Sequence, residues 1–140
     1  MKPHAPNYGP GNCFSLAGQG REETLLEASQ LYKLEAQQTA GALLCLELSP
    51  PPGTSVPPHT HELEDETFYV VKGSVRFTGC GLPRPVTLEP GGLFYNPRGR
   101  LHGFHNIADV TGLLFVTLMP RHQHARDVHR TCRPVGRQPE

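Results

Sequence analysis

Two histidines one residue apart, His59 and His61, precede the carboxylates Glu62, Glu64, Asp65 and Glu66 in the segment PPGTSVPPHTHELEDETFYVVKGSV, residues 51–75. Imidazole and carboxylate are the donors that first-row divalent metals take. Side chains two apart on a strand project to the same face, so His59 and His61 can stand side by side. A carboxylate on the strand that follows can return toward them. A further imidazole must come from a distant strand, and His102 in PRGRLHGFHNI is the candidate. Four such ligands leave coordination positions open for substrate or dioxygen. Glu62, Glu64 and Asp65 read as an exposed turn, although a gap one residue shorter would put Asp65 in the place of Glu66. By strand parity Phe104 and Asn106 share the face of His102, and His105 takes the opposite one. Phe104 is then a candidate pocket wall, and Asn106 either a site group or a residue that bonds a turn backbone.

The elements that must position these groups are short. Fifteen Pro, fifteen Gly and no Trp in 140 residues point to many turns joining small elements rather than to a helix bundle. GALLCLELS sets Leu44, Leu46 and Leu48 on one face before PPPG stops the ladder. ETFYVVKG, SVRFTGCG, PVTLEPGG, LFYNPRG, LHGFHNI and TGLLFVTLM continue the series at intervals of about ten residues. This is the pattern of an all-β barrel or sandwich. Residues 21–38, REETLLEASQLYKLEAQQ, are the exception, because their composition favours a helix. A barrel needs strands there to cover its sheets, so two strands, TLLEA and LYKLEA, are the expectation.

The spacing extends across both halves. Gly53, His59, His61, Glu66 and Gly73 are separated by five, one, four and six residues; Gly91, Pro97, Gly99, His102 and Asn106 by five, one, two and three. Seventeen residues lie between the two strings. The chain resembles the two-motif pattern of the cupin superfamily, and its wording is most similar to the quercetin-dioxygenase-like branch. The resemblance covers residues 53–106 directly and about 25–119 with the flanking strands. It implies a cupin jelly-roll β-barrel holding one divalent transition metal ion per chain on His59, His61, Glu66 and His102. Fe2+ is favoured, with Zn2+, Ni2+, Mn2+, Co2+ or Cu2+ as alternatives. It also selects Glu66 over Asp65, because related sequences place a strand-opening Glu there. The implied activity is a dioxygenase acting on a small phenolic, enol or diketone substrate, with Glu66 also the catalytic base. A non-redox Lewis-acid cyclase or isomerase is the first alternative, and a non-catalytic small-ligand-binding cupin the second. Gly73, Gly91 and Gly99 are expected at turns needing positive φ or close backbone approach.

The remaining features bound the reading. An even charge balance, 13 basic against 13 acidic residues, gives no pull toward nucleic acid or membrane. The opening MKPHAPNYGPGN has no apolar core of the signal-peptide kind, and no apolar run reaches membrane-spanning length. We therefore expect a cytoplasmic protein with Cys13, Cys45, Cys80 and Cys132 as reduced thiols. Residues 1–20 read as an N-terminal arm, 21–120 as the barrel domain, and 121–140 as a basic tail. The tail carries a second H-x-H, His122 and His124, which reads as solvated. Related small cupins often lend an N-terminal strand to a neighbour, so a homodimer is the expected assembly.

Overall fold

A computed structural model describes residues 11–120. Ten strands follow one another: β1 (Arg21–Leu25), β2 (Ala28–Leu34), β3 (Leu44–Ser49), β4 (Ser55–His59), β5 (Glu64–Lys72), β6 (Val75–Gly79), β7 (Val86–Leu88), β8 (Leu93–Asn96), β9 (His102–Asn106) and β10 (Leu113–Pro120). They form an antiparallel six-stranded sheet, β1-β2-β3-β10-β5-β8, and an antiparallel four-stranded sheet, β4-β9-β6-β7. The architecture is all-β, as the strand spacing predicts, and matches the jelly roll that the resemblance implies. No α-helix occurs among the described residues, and none of their helical segments is long and apolar enough to cross a membrane. The arm residues 1–10 and the tail with His122 and His124 lie outside the described part.

Alternation along the strands fills the space between the sheets. Leu46, Leu48, Phe68, Val70, Phe94, Leu114 and Val116 come from the larger sheet, and Val56, Val75, Phe77 and Phe104 from the smaller. Four phenylalanines bind the two layers. Phe77 stacks on Phe94 with centroids 4.7 Å apart, while Phe68 lies 5.5 Å from Phe77 and 5.6 Å from Phe104. Offset aromatic pairs at such spacing add about 0.5–1.5 kcal/mol each beyond the area they bury. Phe104 is thus part of the core, while Tyr69, of opposite parity to Phe68, faces out at 44% exposure.

The helix-favouring stretch 21–38 folds as strands, though not with the expected bounds. Leu26 and Glu27, expected inside TLLEA, are the hairpin turn, both in the left-handed region with φ 47° and 67°. β2 ends at Leu34, short of the expected LYKLEA, and Ala36–Thr39 form one 3₁₀ turn closed by a Glu35/Gln38 capping box. Burial explains why propensity loses. Ala28 and Tyr32 pack on the core, and Tyr32 sits opposite Leu46, so a helix would withdraw both from the barrel.

Asn106 resolves as a turn-bonding residue. It is fully buried, and its Nδ2 donates to the carbonyls of Pro50, Pro51 and Val110 while its Oδ1 accepts from Ala108 N. Its backbone also bonds Gly53 and Thr54, joining the end of the second motif to the start of the first. Replacing Asn106 by Leu would leave Val110 O and Ala108 N without their partner, at about 1–3 kcal/mol each, while Pro50 O and Pro51 O would keep their bonds from Gly112 N and Thr54 N. Equilibrium urea unfolding of Asn106→Leu should therefore show a loss of about 2 kcal/mol or more.

Candidate metal centre

The histidine pair arises from an irregular strand. β4 pairs regularly with β9 at Ser55–His105 and Val56–Phe104, then slips so that His59 falls opposite His102. Pro57 and Pro58 fill the slip, and neither can donate to a ladder. Gly103 permits the close approach: a Cβ there would meet Val56 O at 2.7 Å and Pro58 N at 3.0 Å. The chain bends at Glu62 and Leu63, and β5 opens at Glu64. Glu66 lies in the larger sheet opposite Asn96 and Leu118. The site is thus assembled from both sheets at one end of the barrel.

Four groups converge. His59, His61 and His102 offer ring nitrogens within 4.8 Å of one another, a group that could hold a metal ion. His59 Nε2 and His61 Nε2 are 3.2 Å apart. Glu66 Oε2 lies 3.3 Å from His61 Nε2 and 3.3 Å from His102 Nε2. The donor set is nitrogen and oxygen, suited to a first-row divalent ion. Glu66 Oε2 and His102 Nε2 are buried without a hydrogen-bond partner. Two buried polar atoms without partners, facing one point, fit a cation between them, since buried polar groups are almost always paired. His59 and His61 are half-buried toward the mouth, whereas His102 and Glu66 are buried. Behind them Phe68 closes the floor, its ring 5.7 Å from that of His102.

An outer contact fixes the first of the rings. His59 Nδ1 lies 2.8 Å from Pro57 O, and a carbonyl only accepts, so Nδ1 holds the proton and Nε2 keeps its lone pair. His61 Nδ1 lies 3.8 Å from Glu64 Oε2, beyond hydrogen-bond reach. His102 Nδ1 instead meets the Asn96 amide at 2.9 Å.

Asp65 corrects the expectation of an exposed turn. It is 7% exposed, and its Oδ1 accepts from Arg98 N at 2.9 Å. Together with Gly99 N donating to His61 O at 2.8 Å, this clamps the second motif's turn onto the first. Glu62 is exposed as expected, Glu64 half-buried at the start of β5. Gly73, Gly91 and Gly99 all have positive φ, at 97°, 96° and 74°. Cys13 and Cys45 are free thiols, but Cys80 is disulfide-bonded, which corrects the expectation of a reduced thiol at that position. Sequence reasoning missed Asn96 and the clamping role of Asp65. Strand parity could have flagged Asn96, two residues from the buried Phe94 on the same face of β8.

The chain is thus an all-β barrel with three clustered imidazoles at one end that could hold a metal ion. The Cupin domain family matches residues 47–119, and the chain belongs to that family. Among solved structures it is similar to KdgF from Halomonas sp., with a TM-score of 0.68 at 20% identity over 81% of this chain and 97% of that one. An RmlC-like cupin from Shewanella frigidimarina gives a TM-score of 0.65 at 20% identity, covering 81% and 95%. A predicted oxalate decarboxylase from Thermotoga maritima gives 0.62 at 22% identity, covering 67% and 81%. At these identities the likeness is one of fold. No curated protein matches the chain.

Gly103→Ala should push β4 off β9 and carry His59 away from His102. Zinc affinity, measured by competition with a chelating dye, should fall roughly 10–100-fold, the range typical of losing a contact that orients a ligand.

Proposed function

We propose that the chain is a metal-dependent cupin enzyme whose centre is held by His59, His61, Glu66 and His102, and that it acts as a dioxygenase on a small phenolic, enol or diketone substrate. The observation that carries this reading is Glu66: a buried carboxylate with one oxygen aimed, without a partner, at the point where the imidazoles meet. A divalent ion bound there would supply an open coordination position and Lewis acidity, and, if iron, redox chemistry with dioxygen. The chain's own residues do the rest. His59 and His61, half-buried at the mouth, leave a path from solvent. Phe68 and the aromatic cluster behind it keep water from the inner side. Glu66 Oε2 is placed to accept the proton of a substrate hydroxyl as its oxygen enters the site. The wording HTHELEDETFYVVKG, closest to the quercetinase-like pattern, favours oxygenation over cyclisation or isomerisation.

Glu66→Gln keeps an oxygen donor but removes the base. Oxygen uptake against a panel of phenols and diketones should fall by a general-base factor, roughly 10²–10⁴, with metal content lowered far less. Full turnover of the wild-type zinc form under strict anaerobiosis would replace this reading with the cyclase or isomerase one.

The assembly we propose is a homodimer. β1 is paired with β2 of its own chain, so its support comes from the outer face of the larger sheet. Phe115, Tyr69 and Leu93 lie in one row across β10, β5 and β8, flanked by Val71 and Tyr95. All five are exposed, Leu93 the most at 62%. Contiguous apolar faces of this kind are uncommon on monomers, and a copy related by a two-fold axis would cover both at once. Light scattering at micromolar concentration should give twice the chain mass, and Leu93→Lys combined with Phe115→Glu should give a monomer.

A further inference from the structure

We infer that Asn96 is a positioning residue for the metal centre, setting which nitrogen of His102 carries the proton; the inference rests on the four-ligand reading above. Two of the three clustered imidazoles have a hydrogen-bond partner at Nδ1. For His59 it is a carbonyl, able only to accept, so Nδ1 holds the proton and Nε2 keeps a lone pair for a cation. His61 Nδ1 lies 3.8 Å from Glu64 Oε2, beyond hydrogen-bond reach. His102 differs. Its partner is a carboxamide, which can donate through Nδ2 or accept through Oδ1 according to which end it presents.

The two orientations have opposite consequences. With Nδ2 presented, the amide donates to His102 Nδ1 at 2.9 Å and to Arg100 O at 3.3 Å. Neutral His102 then carries its proton on Nε2, the atom 3.3 Å from Glu66 Oε2. That tautomer has no lone pair for a metal. Half a turn about the amide's last side-chain bond presents Oδ1 instead, which accepts from Nδ1–H and frees Nε2. Ligation by His102 Nε2 therefore requires Asn96 to accept. No exchange with solvent helps, because His102 and Asn96 are 1% and 3% exposed.

The register explains why the residue stands where it does. Asn96 and Glu66 are direct cross-strand partners on β8 and β5. One strand pair thus brings both the carboxylate to the near side of His102 and the amide to its far side, while His102 itself comes from the other sheet. The amide stands behind His102 as the Pro57 carbonyl stands behind His59, the arrangement usual for metal-bound histidines.

The test compares Asn96→Asp, which can only accept, with Asn96→Leu, which can do neither. Zinc and cobalt affinities are measured by chelator competition, and the His102 tautomer by long-range ¹H–¹⁵N correlation before and after zinc. In wild type, zinc should leave His102 protonated at Nδ1. Asn96→Asp should bind zinc at least as tightly as wild type, with the same tautomer. Asn96→Leu should lose roughly 10–100-fold in affinity, while its metal-free far-ultraviolet circular dichroism remains that of wild type. Equal affinity in Asn96→Leu and wild type would overturn the inference and leave the metal centre standing. So would an Asn96→Asp protein as weak as Asn96→Leu. Failure of wild type to bind either metal, or a zinc complex with His102 protonated at Nε2, would overturn both. If Asn96→Leu does not fold, the Asn96→Asp affinity and the wild-type tautomer decide the matter.

Discussion

Everything at the site depends on the pairing that lays β4 against β9. That contact sets His59 opposite His102 and places both over the end of the barrel where β5 delivers Glu66. The contact is unusually close because Gly103 has no side chain, and it is irregular because two prolines interrupt the ladder. Lost ladder hydrogen bonds at the slip are accompanied by a gain in aim: the strand bends, and a histidine that would have continued along the sheet turns inward. The carboxylate-bearing and imidazole-bearing sheets meet across the phenylalanine core, and this edge decides where on the smaller sheet His59 stands.

The electrostatics of the cluster follow from where each group sits. His102 and Glu66 are buried against an aromatic floor, and their facing atoms lack partners within the protein. Polar atoms held dry in this way are costly to the fold. The surrounding structure sustains them through bonds made elsewhere: Asn96 behind His102, Asp65 to the turn that leads into β9, and Gly99 to the backbone of His61. A cation between the four groups would satisfy both orphans together, so an arrangement costly to the fold would favour binding. His59 and His61, nearer water, complete the set from the side a ligand must enter.

A jelly roll with this geometry does not fix a reaction, because unrelated chemistries share the fold. The structural neighbours make the point, carrying such different names as KdgF and a predicted oxalate decarboxylase at 20% and 22% identity. The groups this chain buries at its own centre are the ones that bear on the choice. In this chain those are a carboxylate facing the centre and an amide able to present either end to the innermost imidazole.

The sequence by itself determined the ligand candidates and the fold class. Period-two alternation in β3, β6 and β10 and glycines at turns requiring positive φ are local properties, readable wherever they occur. The fixed gaps around His59, His61, Glu66 and His102 were legible for the same reason, since each gap is the length of a strand or a turn. Tertiary structure decided what depends on pairing between distant strands. Parity along β5 allowed either Asp65 or Glu66 inward by a shift of one residue, and only the register against β8 and β10 set Glu66 toward the histidines and Asp65 toward the turn at Arg98. Residues 21–38 carry helix-forming side chains, yet form strands because β3 offered an edge and the core a place for Ala28 and Tyr32. Asn96 lay outside any motif. Its importance comes from the residue across the strand and the ring behind it, neither of which is near in sequence.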